Sequence, residues 1–199
     1  LGAEARNALE RFRRHVYSAT QLESYGKCPF QFFADKVLRL NAEKQFDDGL
    51  SPLERGSIIH EILFEFYTRR REAGRIPLHL LDETQFHEAV NDLLAIARKK
   101  LDSLVTSNVF WNVDKEIILG GDGRKGVLQE FLDVERERRL DTAPAFFEVA
   151  FGLTAVPKQQ IDQRLGMTLP LKVENVYLRG KVDRIDVGDN VFTIIDYKS

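Results

Sequence analysis

The spacing of apolar positions changes near Pro144: before it they recur at helical intervals, and after it they gather in short β-branched runs. Ser18 and Thr20 are N-cap types with Gln21 and Glu23 three residues further on, the spacing of a capping box, so a helix is predicted to start there. It reaches Tyr25, is interrupted by Gly26 and Pro29, and resumes through Phe30, Phe32, Phe33, Val37 and Leu38. Residues Ala3 to Arg14 are charged and helix-prone, and the polar stretch Asn41 to Ser51 predicts a loop. Pro52 suits the first turn of a helix whose apolar positions Ile58, Ile59, Ile62, Leu63, Phe66 and Tyr67 lead to Arg69, Arg70 and Arg71, cations suited to a C-terminal turn. Gly74 and Pro77 end it. Further helices are predicted over Glu83 to Leu104, Trp111 to Leu119 and Val127 to Leu140. Beyond Pro144, Phe146 to Leu153 predicts a strand and residues 157–170 a loop. Val176 to Val187 and Val191 to Lys198 predict two strands joined at Gly188-Asp189-Asn190 as a hairpin. A mainly helical 1–141 and a strand-bearing 144–199 predict a single domain of the α/β (α+β) class.

Composition narrows the function. Lys plus Arg is 29 and Asp plus Glu 31, a net charge of −2, which excludes a wholly basic nucleic-acid binder but not a locally basic groove. No apolar run approaches membrane-spanning length and no signal peptide is evident, so no membrane partner is expected. The single cysteine, Cys28, rules out an internal disulfide framework and suits a reducing, cytoplasmic compartment. The chain opens on Leu1 and stops at Ser199 directly after a strand pattern, and is read as a fragment. No G-x-x-x-x-G-K-S/T loop is present to bind ATP.

The chemistry concentrates in the last twenty residues, GKVDRIDVGDNVFTIIDYKS. Asp196 and Lys198, two positions apart on a strand, emerge on one face. The apolar run Val191, Phe192, Ile194, Ile195 predicts a strand buried on both faces, where charged groups are costly unless paired or bound to a metal. If Asp189 and Asn190 form a two-residue turn, Val187 pairs with Phe192 and Asp183 lies opposite Asp196. The two carboxylates and Lys198 then converge. An odd-length loop sends Asp183 to the other face unless a bulge corrects it. A divalent cation offsets the repulsion of two opposed carboxylates, and oxygen ligands suit Mg²⁺ or Mn²⁺. Lys198 would orient or deprotonate a water, or steady charge developing on a phosphoryl group. The bland alternative is a surface hairpin in which Asp196 and Lys198 form a weak ion pair, and the residues alone leave the two readings level. His60 lies at the margin of an apolar helical stripe with Gly56 one turn before it; a structural role and a ligand role both stay open. His15, His79 and His87 sit in polar or loop-like surroundings and carry no signal.

Four blocks occur in order: S-A-T-Q-L-E-S-Y-x-x-C-P-F-Q-F-F, R-G-S-I-I-H, G-K-V-D-R-I-D and I-I-D-Y-K. Together they resemble the RecB/AddB-type branch of the PD-(D/E)XK nuclease superfamily, over Tyr17 to Leu40, Leu53 to Tyr67 and Glu148 to Ser199. The resemblance implies a restriction-endonuclease-like core sheet with a large helical N-terminal part. It also implies Mg²⁺- or Mn²⁺-dependent DNA hydrolysis, exonucleolytic, in a helicase–nuclease of double-strand break repair and recombination, with unwinding supplied upstream or by a partner subunit. It places the metal-binding histidine at His60, the first acidic ligand at Asp183, the second acid and the lysine at Asp196 and Lys198, and the carbonyl of Tyr197 beside the metal. Asp183, Asp196 and Lys198 are thereby the catalytic set. Glu148, in FFEVAF, matches a glutamate of an earlier strand; a water-mediated metal contact and a plain solvent-facing position both stay open. Gln21 and Tyr25 match a polar pair near the entrance helix, where DNA contact competes with capping and packing.

Cys28 matches the first ligand of the 4Fe-4S cluster carried by part of the branch. One thiolate cannot hold that cluster, so none is expected in this chain, although the intact protein has room for one. Cys28 is here expected to be a small buried hydrophobe at a helix break. The family's helix after the lysine strand lies beyond Ser199, leaving a strand edge through which a dimer would form. The basic clusters Arg11 to Arg14 and Arg69 to Arg71 would track a phosphate backbone or be solvated faces. Two alternatives share the motifs: a catalytically silent nuclease fold that grips DNA ends or scaffolds another subunit, and a CRISPR-associated RecB-like nuclease, which C-P-F-Q-F-F matches less well.

Overall fold

A computed structural model describes residues 2, 3, 6, 10, 15–40, 49–104, 109–138, 141–153 and 161–197. Among them are six α-helices and a mixed five-stranded sheet, the expected α/β architecture. The chain divides into two compact units, Leu1–Gln45 with Glu148–Val182, and Phe46–Phe147 with Asp183–Ser199. Two strands, β4 (Ala143–Phe151) and β6 (Val176–Val187), run from one unit into the other.

The first unit begins with β1 (Val16–Ser18), which the apolar pattern does not predict. It pairs parallel with β6, Tyr17 against Leu178. Ser18 then caps α1 (Ala19–Lys27): its Oγ accepts from the Gln21 N–H at 3.2 Å, and Gln21 Oε1 accepts from the Ser18 N–H at 2.9 Å. That reciprocal pair satisfies two donors the first helical turn leaves open. Helix α1 stops at Cys28, whose extended backbone makes it the N-cap of α2 (Pro29–Phe32), with Sγ accepting from the Gln31 N–H at 3.4 Å. Cys28 is therefore half-buried and capping rather than a buried apolar filler. A π-helical turn, Phe33–Val37, follows. Strand β5 (Leu171–Val173), also unpredicted, pairs antiparallel with the start of β6. Strand β4 ends just before Gly152, whose φ of +65° and a prospective Cβ contact of 2.9 Å with Arg179 admit no side chain without strain.

The second unit is built on α3 (Pro52–Glu72), α4 (Glu83–Ser103), α5 (Trp111–Leu119) and α6 (Val127–Glu137). Ser51 and Glu54 form the capping box of α3, and Asp82 and Gln85 that of α4. Ile62, Leu63 and Phe66 of α3 pack with Leu93, Ala97 and Leu101 of α4, Ile118 of α5 and Leu128 and Leu132 of α6. Each large side chain so buried contributes roughly 1.5–3 kcal/mol of apolar transfer. Helix α6 ends at Glu137, before the predicted Leu140. Between α5 and α6 the chain makes a small unpredicted ribbon, β2 (Gly120–Gly121) with β3 (Arg124–Lys125). It turns at Asp122 and Gly123, both left-handed at φ +50° and +77°.

The same unit contains the hairpin of β6 with β7 (Phe192–Ile195). Val187 pairs with Phe192 and Arg184 with Ile195, and the Gly188 N–H donates to the Val191 carbonyl at 2.8 Å around Asp189-Asn190. The predicted register holds, but the predicted burial of β7 on both faces does not. Phe192 is 67% and Ile194 58% exposed, because β7 pairs with β6 alone among the described strands. An apolar run on an edge strand needs only one covered face.

Several expectations fall wholly or partly outside the described residues: the helix over Ala3 to Arg14 with its arginine cluster, of which positions 3, 6 and 10 are helical; the loop over 41–48; the first part of the 157–170 loop; and Lys198. No helix among the described residues is long and apolar enough to cross a membrane.

Candidate active site

In the helical unit, α3 presents His60 to Asp183 of β6. The His60 Nδ1 and Asp183 Oδ1 atoms lie 3.5 Å apart, with Asp183 only 8% exposed. Asp183 Oδ2 accepts from the backbone N–H of Tyr197 at 2.8 Å, which ties the carboxylate to the peptide between Asp196 and Tyr197. The Tyr197 ring stands edge-on to His60 and to Phe131, each at 5.4 Å between ring centroids, and so anchors the strand end against the core. Extending the hairpin register by one residue sets Asp183 opposite Asp196, which is exposed.

This donor set fits a hard divalent cation. The Nδ1–Oδ1 separation exceeds that of a well-formed hydrogen bond. Two ligands at ~2.1 Å from one octahedral ion stand ~3 Å apart, so a small closing movement would let both atoms share it. Imidazole with carboxylate suits Mn²⁺, and carboxylate alone Mg²⁺.

One residue along β6 the chemistry differs. Arg184 lies 2% exposed, and its Nε and Nη2 donate to the two oxygens of Asp186 at 2.5 and 2.6 Å. Its Nη1 meets Glu135 Oε2 at 2.5 Å and the Tyr67 hydroxyl at 3.0 Å, and its guanidinium carbon lies 4.9 Å from the Tyr67 ring centre. Glu135 also receives Arg138 at 2.7 Å. Burial opposes the charge of Arg184, yet the Asp186 hydrogen bond and the surrounding groups hold its pKa above the ordinary arginine value. Burial pushes the Tyr67 and Tyr197 hydroxyls up from the usual tyrosine range. The apolar and motif patterns do not predict this buried network. The one local signal for it is Arg184-x-Asp186, two opposite charges sharing a strand face.

In the other unit, Glu148 is buried in β4 and ion-paired with Lys181 of β6. Its φ of +51° is rare for a side-chain-bearing residue and marks local strain. The solvent-facing reading of Glu148 is thereby overturned. Lys181 lies inside the same block as Asp183, and only this pairing with Glu148 distinguishes it from an ordinary strand lysine. Gln21 carries the α1 cap, and Tyr25 is 56% exposed, edge-on to Phe32 at 5.5 Å.

Comparison with known proteins identifies the family of the chain. The PD-(D/E)XK nuclease superfamily profile matches residues 16–199. The B-type subunit of an ATP-dependent helicase/deoxyribonuclease from Oenococcus oeni is 30% identical over 197 residues, covering 92% of this chain and 16% of the relative. Proteins of the same name from Desulfitobacterium hafniense and Moorella thermoacetica are 29% and 28% identical, covering 94% and 92% of this chain and 15% of each relative. The chain thus spans only 15–16% of the length of the curated relatives it matches.

Proposed function

Because the chain belongs to the PD-(D/E)XK nuclease superfamily, we propose that it is the DNA-cleaving part of a helicase–nuclease and hydrolyses phosphodiesters with Mg²⁺ or Mn²⁺. The observation that carries this reading is half-buried His60 at 3.5 Å from buried Asp183, with Asp183 fastened to the amide of Tyr197 inside D-Y-K. By the family resemblance His60, Asp183, Asp196 and the carbonyl of Tyr197 would hold the ion, and His60 and Asp183 already stand within ligand reach of each other. When bound, such an ion makes water more acidic and draws charge from phosphoryl oxygens. Asp183 keeps its carboxylate oriented through the Tyr197 N–H, and His60 is steadied by the edge of the Tyr197 ring. Lys198, on the face of Asp196 by strand alternation, orients the attacking water or steadies charge on the phosphoryl group. A helicase-bearing partner protein forms part of the same proposal, supported by the names of the relatives, and exonucleolytic action in double-strand break repair is added to it by the family resemblance alone.

Calorimetric titration with Mn²⁺ tests the site. The wild type should bind, and Asp183→Ala should lose that binding and, with Mg²⁺, cleavage of single-stranded DNA. Equal Mn²⁺ affinity in both proteins would remove Asp183 from the metal site.

A further inference from the structure

About 15 Å along α3 from His60, ten residues at 1.5 Å each, the C-terminal turns of the helix form a groove with α4. It has a volume of about 380 Å³ and belongs wholly to the helical unit. It is lined by the exposed Ala73 and Ala95 over the core residues Phe66 and Ile96, and by Arg69, Arg70, Arg75 and Lys99 against a single acid, Asp92.

The cations differ in how far the fold accounts for them. Arg69 pairs with Glu65 one turn back, and the neighbouring Lys100, outside the groove, pairs with Glu61. Arg70 is buried, donates to the Ile76 carbonyl at 2.8 Å and lies over the Phe66 ring at 5.6 Å. Its pKa is lowered by burial and then by the positive charge of Arg75, so the groove gathers like charges rather than neutralising them. Arg75 and Lys99 are exposed and have no ion pair among the described residues. Cations in the last turn of a helix favour its dipole. Arg75 lies beyond the helix end and gains nothing that way.

We propose that this groove is a second nucleic-acid site, in which the exposed Arg69, Arg75 and Lys99 hold the phosphates of a single strand a few nucleotides from the His60–Asp183 pair. Small apolar side chains beside exposed cations suit a strand, whose sugars are apolar next to each phosphate. A groove of this volume seats about one nucleotide unit, and the cations on its rim can meet the phosphate on either side of it. The identity of the strand rests on the nuclease reading above; the anionic, amphipathic character of the ligand does not.

Fluorescence anisotropy of a labelled oligothymidylate is measured in EDTA, where cleavage plays no part, with the wild type, Arg75→Gln/Lys99→Gln, Arg75→Glu/Lys99→Glu and Asp183→Ala. Circular dichroism checks each fold, and both groove positions are exposed surface that tolerates replacement. The neutral pair should lower the dependence of log K on log salt by about 1.4, two phosphate contacts at ~0.7 each for a single strand. The reversed pair should weaken binding at least tenfold at low salt, while Asp183→Ala keeps its affinity. Unchanged affinity and salt slope in both pairs would overturn the proposal. Oligothymidylate binding that survives in the reversed pair, while a polyglutamate peptide binds the wild type alone, would also overturn it and assign the groove to an acidic protein segment. Groove-dependent binding without cleavage in Mg²⁺ or Mn²⁺ would leave this inference standing and defeat the nuclease reading instead.

Discussion

Asp183 and Asp186 lie three residues apart on one strand, both nearly inaccessible to water, yet the protein treats them in opposite ways. Asp186 is gripped on both oxygens by Arg184, which is itself held by Glu135 and Tyr67. Such a bidentate pair fixes geometry and leaves the carboxylate little capacity for another ligand. Asp183 instead accepts from a backbone amide and faces an imidazole nitrogen at 3.5 Å, with no bidentate guanidinium among the described residues. A buried carboxylate beside an imidazole nitrogen is suited to sharing a cation. The neighbour gripped by Arg184 holds the strand in place, and the proposed metal role falls to Asp183.

The comparison breaks most severely at Arg184. Arg184→Ala leaves Asp186 and Glu135 buried without their shared cation and should cost about 3–5 kcal/mol, read by urea unfolding. A loss below about 1 kcal/mol would mean that water enters and replaces the guanidinium. Asp183→Ala should do the reverse: Mn²⁺ affinity falls by about two orders of magnitude or more, while stability without metal shifts by less than about 1 kcal/mol. A large loss of metal-free stability would make Asp183 structural like Asp186 and erase the contrast.

These two carboxylates also mark how far the sequence can be read. The hairpin register follows from Gly188-Asp189-Asn190, because a two-residue turn leaves one pairing that keeps Val187 against Phe192. Helix α3 is legible because Ile59, Ile62, Leu63, Phe66 and Tyr67 repeat at i+3 and i+4 and all are buried. Strands β1 and β5 escape because three residues carry too little periodicity, and each is defined by its pairing with β6. The exposure of β7 escapes because an apolar run does not say whether a second strand or a helix covers it. The Arg184 network escapes because its partner Tyr67 is 117 residues away in sequence. His60 and Asp183 are legible as family positions; residue patterns alone leave both undecided between ligand and structural roles.

Proton linkage offers a milder test of the saturated side. The Tyr67 pKa is raised by burial, so above pH ~10 the unfolded chain releases this proton while the folded chain keeps it. The unfolded state then binds fewer protons, and stability falls as pH rises through ~10, by up to about 1.4 kcal/mol per pH unit for this group. Tyr197 is shifted the same way and adds its own share. Tyr67→Phe should therefore remove part of the alkaline slope measured by unfolding between about pH 9 and 11, and an unchanged slope would mean that Tyr67 titrates normally.

The smallest effect expected is at Tyr197, which touches both sides of the comparison. Its backbone N–H serves Asp183, and its ring packs on His60 and Phe131. Among the described residues its buried hydroxyl makes no well-formed hydrogen bond, although the Arg184 guanidinium lies near enough to lower its pKa against burial. Tyr197→Phe keeps the amide and the ring and removes only a polar atom that gains little from the interior. Stability should stay within about 0.5 kcal/mol of wild type, or rise, because deleting an unsatisfied buried group relieves its desolvation cost. Mn²⁺ affinity should not move. A tenfold loss of affinity in Tyr197→Phe would show that the hydroxyl couples the Arg184 network to the metal site, so that the two carboxylates are parts of one device rather than separate ones.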